Sequence, residues 1–282
     1  MRPKFFFTFA ARFVIGATVF LGGCAFADQG GDSIQWVLQH RGFSSAQVAI
    51  SYHGVKKNLL LFKIDPRLFH FRVYENKNTE KAFTIQQIHA KEKSLLTFNG
   101  SFFGDDFRPV GFVKSEGRML HKLSKSHLLN GVFAIDADNR PKLFTATHEV
   151  PAYTVSQAGS LQEFKDNDRI GFALQSGPIL LDENGDIQIF TDSGREASRT
   201  AIGLDQAGNV MVLLLKQSLL NSQNIVTLYE FAHLLKENES LRQLGLRAVL
   251  NLDGGSSSGV AFGNEYYPEM EKVQNVVMVH AI

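Results

Sequence analysis

The chain has 282 residues, of which 29 are basic and 28 acidic, so its net charge is +1 at pH 7. This balance excludes the basic surplus with which proteins grip nucleic acid, and we expect no nucleic-acid partner. The single cysteine, Cys24, excludes an internal disulfide, so an apolar core must hold the fold, and a chain of this length can supply one.

The N-terminal residues predict an export signal. Arg2, Lys4 and Arg12 flank an apolar run over residues 13–21 that is too short to span a membrane as a stable helix. Without these three residues the chain has 26 basic against 28 acidic residues, a charge near −2.

Two processing sites compete at the end of this signal. Cleavage after Ala25-Phe-Ala27 would remove residues 1–27 and release residues 28–282 as a soluble protein. Cleavage after residue 23, in the lipobox-like Leu21-Gly-Gly-Cys24, would leave a lipidated Cys24 as the first residue. Either way we expect an exported protein of the periplasm or cell envelope, with membrane contact only through a lipid on Cys24.

Short apolar or alternating runs separated by polar turns predict a chain rich in antiparallel strands. Asn184-Gly185 is a hairpin signal, and the segment lacks the later glutamate and the flanking helices of an EF-hand, so a turn is favoured over a calcium loop. The first predicted strands span residues 47–52, 59–64 and 69–74, and the predicted hairpin turns span residues 136–139, 182–186 and 205–209.

Two stretches predict helices. Residues 227–235 repeat apolar side chains at helical spacing, and Thr227 with Glu230 three residues later forms a capping box. Residues 80–91 have a weaker helical pattern. We therefore expect an α+β fold: a single sheet-rich domain with mixed or antiparallel strands and a few helices packed on one face of the sheet.

Residues 248–259, Ala-Val-Leu-Asn-Leu-Asp-Gly-Gly-Ser-Ser-Ser-Gly, carry the most informative pattern. An apolar strand delivers Asp253 into a glycine pair, where successive backbone N–H groups can form an anion-binding concavity. An acid beside such a concavity favours a reaction on a phosphorylated or polyhydroxy substrate. The alternative is a plain turn in which Asp253 caps its own backbone. The predicted concavity consists of Gly254, Gly255, Ser256 and Ser257.

Four segments together resemble the phosphodiester glycosidase family. In chain order they are Thr97-Phe-Asn-Gly-Ser-Phe-Phe103, Leu174-Gln-Ser-Gly-Pro-Ile-Leu-Leu181, Arg199-Thr-Ala-Ile-Gly-Leu-Asp205 and the 248–259 segment. The resemblance extends over roughly residues 55–280. It implies an exported hydrolase whose substrate is a glycan or another compound with a sugar joined through its anomeric carbon to a phosphodiester.

The resemblance also implies roles for individual residues. Asp253 would activate water or stabilise a cation, Arg199 would clamp the phosphate with its planar fork, and the Asn99 amide would orient the substrate. From the residues alone, Asn99-Gly100 after a strand is usually just a turn, and an isolated strand-edge arginine such as Arg199 is more often a surface ion-pair residue; the resemblance reverses both interpretations. The remaining substrate-binding candidates are the Gly254–Ser257 loop, Thr200, Gln175 and Ser176.

Other chemistries find less support. The nine histidines show no metal-binding spacing, so we expect no metal and no cofactor, although Asp253 as a ligand of a divalent cation is an alternative. Ser257 lies at the centre of a G-x-S-x-G pattern, but no helix is predicted after it, which argues against a serine esterase. A non-catalytic envelope protein that binds a sugar-phosphate polymer is the second functional hypothesis.

Overall fold

The structure is a computed structural model that describes residues 33–76, 83–147, 154–155, 169–218 and 220–282. The predicted export signal, with Cys24, lies outside the described residues, as do residues 80–82 of one predicted helix. Among the helices of the described residues, none has the length and apolar character needed to cross a membrane.

Strands dominate the described chain. They are β1 (Val37–His40), β2 (Phe43–Tyr52), β3 (Val55–Ile64), β4 (Phe69–Glu75), β5 (Leu96–Asn99), β6 (Val113–Ser115), β7 (Arg118–His121), β8 (Gly131–Asp136), β9 (Pro141–Thr147), β10 (Thr154–Val155), β11 (Ile170–Ser176), β12 (Ile179–Leu181), β13 (Arg199–Asp205), β14 (Val210–Leu215), β15 (Leu246–Asn251), β16 (Val260–Phe262), β17 (Glu265–Tyr267) and β18 (Asn275–Ala281). The helices are α1 (Ile85–Glu92), α2 (Leu228–Glu237) and α3 (Glu239–Arg242), with 3₁₀ turns at Pro66–Leu68 and Gly255–Ser257.

The strands form three sheets, and every strand pair described is antiparallel. The seven-stranded sheet has the order β1-β2-β3-β14-β13-β15-β12, the six-stranded sheet β10-β9-β8-β11-β6-β7, and the five-stranded sheet β17-β16-β5-β18-β4. The expected sheet-rich α+β character is confirmed; of the two expected arrangements, mixed or antiparallel, the described strands adopt the antiparallel one, divided among three sheets.

The core follows from the two-residue period of the strands. Along β14, Val212 and Leu214 enter a central cluster to which all three sheets contribute, whereas Leu213 and Leu215 point to the other face. Strand β14 is therefore buried on both faces, because α2 and α3 cover the face that turns away from the central cluster.

The helices lie on two different sheets, which corrects the expectation that they pack on one face. Helix α1 packs with β5 and β16 of the five-stranded sheet, and α2 packs with β12 of the seven-stranded sheet. Helix α2 begins with the predicted capping box, in which the Glu230 amide donates to Thr227 Oγ1 over 3.1 Å and the Thr227 amide donates to the Glu230 carboxylate over 2.8 Å.

The local predictions vary in accuracy at their boundaries. The three predicted early strands are present, although β2 and β3 each begin four residues earlier. The predicted turns at 136–139 and 205–209 connect β8 to β9 and β13 to β14. The helix predicted over 80–91 begins only at Ile85, because Phe83 forms a β-bridge with Val273 and Thr84 caps the helix.

Candidate active site

A cavity of about 1010 Å³ opens where β15 ends and β13 begins. Its polar lining includes Asp253 with Gly254, and the two arginines Arg195 and Arg199. The cavity lies at the upper limit of the size range of small-molecule sites. Its remaining lining residues are Phe102, Val110, Ser124, Ser126, Leu128, Leu129, Gly177, Pro178, Ser193, Leu228 and Asn251.

Buried hydrogen bonds fix the backbone of Asp253. Its N–H donates to the Gly100 carbonyl over 3.2 Å, and its carbonyl accepts from Asn99 Nδ2 over 2.6 Å. Asn99 Oδ1 in turn accepts from Thr200 Oγ1 over 2.8 Å and from the Gly259 amide over 3.2 Å. The predicted site residues Asn99 and Thr200 therefore lie beside Asp253, but they are buried behind it and do not line the cavity.

The Asp253 side chain is half-buried, and burial raises its pKa to about 6. The nearby charge of Glu271 also raises the pKa, whereas hydrogen bonds from the Ser257 side chain and the Gly254 amide lower it. The carboxylate thus sits where it can exchange a proton near neutral pH, which is the condition for a general acid or base.

The predicted anion-binding concavity is not available in this form. The Gly254 amide donates to Asp253 Oδ1 over 2.9 Å, the Gly255 amide to the Ser198 carbonyl over 2.8 Å, and the Ser257 amide to the Gly254 carbonyl over 3.2 Å. Ser256 Oγ donates to Glu271 Oε2 over 2.9 Å. These three amides already have acceptors within the protein, and the Gly254 amide bonds to the Asp253 carboxylate itself. The turn therefore does not present a row of free N–H groups to an anion.

Arg199 is 8% exposed, and carbonyl groups hold its guanidinium. Nε donates to Val226 O over 2.9 Å and Nη2 to Arg195 O over 2.5 Å. No carboxylate among the described residues forms an ion pair with it, and burial lowers its pKa, with Glu230 opposing that effect. Interpretation as a surface ion-pair residue is therefore wrong, because Arg199 is a buried cation at the wall of the cavity.

Gly254 lies next to this cation, at a position that only a residue without a side chain can occupy. A Cβ there would lie 2.9 Å from the Ser198 carbonyl oxygen and 3.7 Å from Arg199 Nη1. Any larger residue would press on the backbone before Arg199. The glycine therefore brings the backbone beside Asp253 close to the guanidinium.

Gln175 and Ser176 support the cavity from behind and do not line it. Gln175 Oε1 accepts from the amides of Phe112 and Ser124, and Nε2 donates to the carbonyls of Ser124 and Leu129. This buried amide thus holds residues 124–129 in place. Ser176 is fully buried, and its hydroxyl has no hydrogen-bond partner within the described structure.

Sequence reasoning missed Asn251 as a site residue. Its Nδ2 donates to Gly177 O over 2.9 Å and to Leu252 O over 2.7 Å, while its buried Oδ1 has no partner in the described part of the chain. The side chain also lines the cavity. The available signal was an asparagine interrupting an apolar strand two residues before Asp253, where alternation puts both on one face.

Arg195 is exposed and also lines the cavity. The two arginines therefore differ in burial while bordering one space. Within the described residues, no three histidine, cysteine or acidic side chains group together as a metal site would require.

Comparisons with known proteins identify one matching family model. The model of the phosphodiester glycosidase family matches residues 92–280. The uncharacterized protein YigE of Escherichia coli K12 is 24% identical over 202 residues, which cover 68% of this chain and 70% of YigE.

Two solved structures share the fold. The catalytic domain of zebrafish N-acetylglucosamine-1-phosphodiester alpha-N-acetylglucosaminidase, auto-inhibited by its pro-peptide, superposes with a TM-score of 0.64 at 16% identity, over 88% of this chain and 87% of that one. A hypothetical protein from Synechocystis has a TM-score of 0.65 at 17% identity over 90% of this chain. This chain covers 64% of the length of the Synechocystis protein.

Proposed function

Because this chain belongs to the phosphodiester glycosidase family, we propose that it is a hydrolase that removes a sugar from a sugar-1-phosphodiester in the cavity at Asp253. The observation that carries the proposal is the pairing, in one cavity, of a carboxylate whose pKa is raised to about 6 with a buried arginine that no carboxylate of the described chain neutralises.

Asp253 acts on the sugar side of the scissile bond. A water molecule gives a proton to the carboxylate and its oxygen bonds to the anomeric carbon, while the bond from that carbon to the phosphate oxygen breaks. The products are the free sugar and a phosphate monoester. The same carboxylate is placed to stabilise the cationic character of the anomeric carbon in the transition state.

A single acid is sufficient for this leaving group. Ordinary glycoside hydrolysis uses a second carboxylic acid to protonate the departing oxygen. Here the group that departs is a phosphate monoester, a weakly basic anion that needs no such proton. Within the described residues, Asp253 is the one acidic side chain that lines the cavity, which supports a phosphate leaving group.

Arg199 and Arg195 stabilise the departing phosphate. Arg199 is held by Val226 O and Arg195 O, so its charge is positioned before the substrate arrives and little reorganisation is needed during the reaction. The exposed Arg195 borders the same cavity and adds a second positive charge. Guanidinium groups match phosphate oxygens in both charge and geometry.

Asn251 Oδ1 accepts a hydrogen bond from a sugar hydroxyl. A buried acceptor without a partner costs about 1–3 kcal/mol, and a ligand that donates to it removes that cost. Since Asn251 is anchored through Nδ2 to two carbonyl groups, its side chain keeps a defined position at the wall of the cavity, with the unpartnered Oδ1 buried there.

The test is to incubate the purified protein with a panel of sugar-1-phosphodiesters and to identify both products. The panel begins with N-acetylglucosamine-1-phosphodiesters, the substrate class in the name of the zebrafish enzyme. We expect a free sugar and a phosphate monoester. Release of a sugar 1-phosphate and an alcohol would contradict the proposal, because it would show cleavage on the phosphate side.

Export accompanies this function in our proposal. If the lipobox is used, mass spectrometry of the N-terminus should find acyl chains on Cys24, and Cys24→Ala should abolish them. An unmodified N-terminus at Asp28 would show that the other cleavage site is used. A retained Met1 in the protein from its native host would contradict export by either route.

A further inference from the structure

Many of the residues that line the cavity are apolar. We call six of its lining residues the apolar wall: Phe102, Val110, Leu128, Leu129, Pro178 and Leu228. Two of them show large exposed surfaces, since Leu128 is 65% exposed and Val110 is 37% exposed. Single exposed apolar side chains are ordinary, but their grouping at a cavity is typical of a binding surface.

Hydrogen bonds keep the exposed leucine on a fixed backbone. The Leu129 amide donates to Ser126 O over 3.0 Å, and Gln175 Nε2 donates to Leu129 O over 2.9 Å. The Val110 amide donates to Phe102 O over 3.0 Å. Leu128 and Val110 therefore remain at the cavity although solvent contact disfavours their side chains.

The apolar wall is connected to β15, the strand that ends two residues before Asp253. Gly177 packs against the Leu128 backbone so closely that a Cβ at 177 would lie 2.1 Å from Leu128 O. On its other side, Gly177 O accepts from Asn251 Nδ2 over 2.9 Å. The spacing between Leu128 and Asn251 is thus set by one close backbone contact and one buried side-chain hydrogen bond.

A sugar does not need this wall. Its hydroxyl groups require hydrogen-bond partners, and aliphatic side chains such as those of Leu128, Val110 and Leu228 offer none. The charged residues and Asn251 already supply partners for the sugar and the phosphate in the proposed reaction. The apolar wall therefore faces a different part of the substrate, one that gains by leaving water.

We infer that the phosphate of the substrate carries a hydrocarbon chain as its second ester, so that the substrate is a sugar joined through phosphate to a lipid. This inference rests on the proposed function. The sugar lies at Asp253, the phosphate at Arg199 and Arg195, and the first part of the chain covers Leu128 and Val110.

The binding of alkyl phosphates tests this inference without any turnover. Titration calorimetry compares decyl phosphate, below its micelle concentration, with ethyl phosphate. Burial of about half of the additional methylene groups would make decyl phosphate bind on the order of 100-fold more tightly. Equal binding of the two phosphates would overturn the inference.

A matched pair of variants locates the effect. Leu128→Ser should reduce the preference for decyl phosphate about tenfold by removing apolar surface at the cavity. Leu38→Ser is the control, because Leu38 is 71% exposed and does not line the cavity. A preference that Leu128→Ser leaves unchanged, or that Leu38→Ser reduces equally, would overturn the inference.

The outcomes separate this inference from the proposed function. Sugar release from a methyl phosphodiester, combined with equal binding of the two alkyl phosphates, would leave the hydrolase standing and remove the lipid. Tight decyl phosphate binding that depends on Leu128, without sugar release from any phosphodiester, would support the lipid site and contradict the hydrolase.

Discussion

The ends of β5 and β15 present the same residue type in two different states. Asn99 at the end of β5 and Asn251 at the end of β15 are both buried amides close to Asp253 in the fold. Asn99 Oδ1 accepts from Thr200 and Gly259, whereas Asn251 Oδ1 has no partner among the described residues. Asn251 lines the cavity and Asn99 does not.

This difference separates positioning from binding. A buried amide whose oxygen has hydrogen-bond partners lowers the free energy of the folded state and holds its neighbours in place. One with a free oxygen at a cavity raises that free energy until a ligand donates to it. Asn99 is therefore a positioning residue for Asp253, and Asn251 is a candidate for direct contact with substrate.

Both asparagines lie beside Asp253, so the roles given to them above require that Asp253 is the reacting group. Asp253→Asn removes the charge with little change in shape, so we expect turnover to fall about 100- to 10,000-fold, as for loss of a general base. Sugar release from a phosphodiester substrate measures this. A folded variant with full activity would contradict the role of Asp253.

The same variant has a stability signature. Burial raises the pKa of Asp253 from 3.8 to about 6, so ionisation is less favourable in the folded state, and the wild type loses stability as the pH rises between these values. Asp253→Asn avoids this loss. At pH 8 it should be more stable than wild type by up to about 3 kcal/mol, and at pH 3 the two should agree in urea unfolding. Lower stability of the variant at pH 8 would contradict the burial of the charge.

Arg199 begins the strand whose next residue, Thr200, donates to Asn99. Lysine keeps the charge but lacks the planar fork that donates to Val226 O and Arg195 O from two separate nitrogens, so Arg199→Lys should reduce kcat/KM about 100-fold. Arg195→Lys is the matched control, because the Arg195 side chain is exposed, and should cost less than tenfold. Agreement of Arg199→Lys with wild type within about twofold would show that Arg199 does not bind the phosphate.

A smaller effect distinguishes the two asparagines. If Asn251 Oδ1 accepts from a sugar hydroxyl, a substrate lacking that hydroxyl should react about tenfold more slowly with wild type. This tenfold difference between the two substrates should vanish in Asn251→Ala and persist in Asn99→Ala. The comparison is a double-mutant cycle in which one change is made in the protein and the other in the substrate. If every monodeoxy sugar gives the same penalty in both variants, Asn251 makes no such contact.

Much of the local structure could be predicted from the sequence. Alternating apolar residues and turn residues predicted β2, β3, β4 and two hairpins. The Thr227–Glu230 capping box predicted the start of α2. These predictions succeeded because each signal acts within a few residues. The division into three sheets was missed. Alternation shows that a strand has a buried face, but it carries no information about which strand lies beside it.

The candidate site was predicted in part. Asp253 and Arg199, which the motifs singled out, both line one cavity. The sequence could not predict roles that depend on single hydrogen bonds. Gln175 and Thr200 bond to groups away from the cavity. The Gly254, Gly255 and Ser257 amides donate to acceptors within the protein. These partners are distant in the chain or depend on the turn conformation, so no motif specifies them.

The dependence of kcat/KM on pH tests the central claim most directly. If the ionised Asp253 carboxylate activates water, kcat/KM for sugar release should rise tenfold per pH unit below an apparent pKa of about 6 and level off above it. The residual activity of Asp253→Asn should lack this limb. A wild-type profile that falls above pH 6, or a limb that persists in Asp253→Asn, would contradict the assignment of Asp253 as the base.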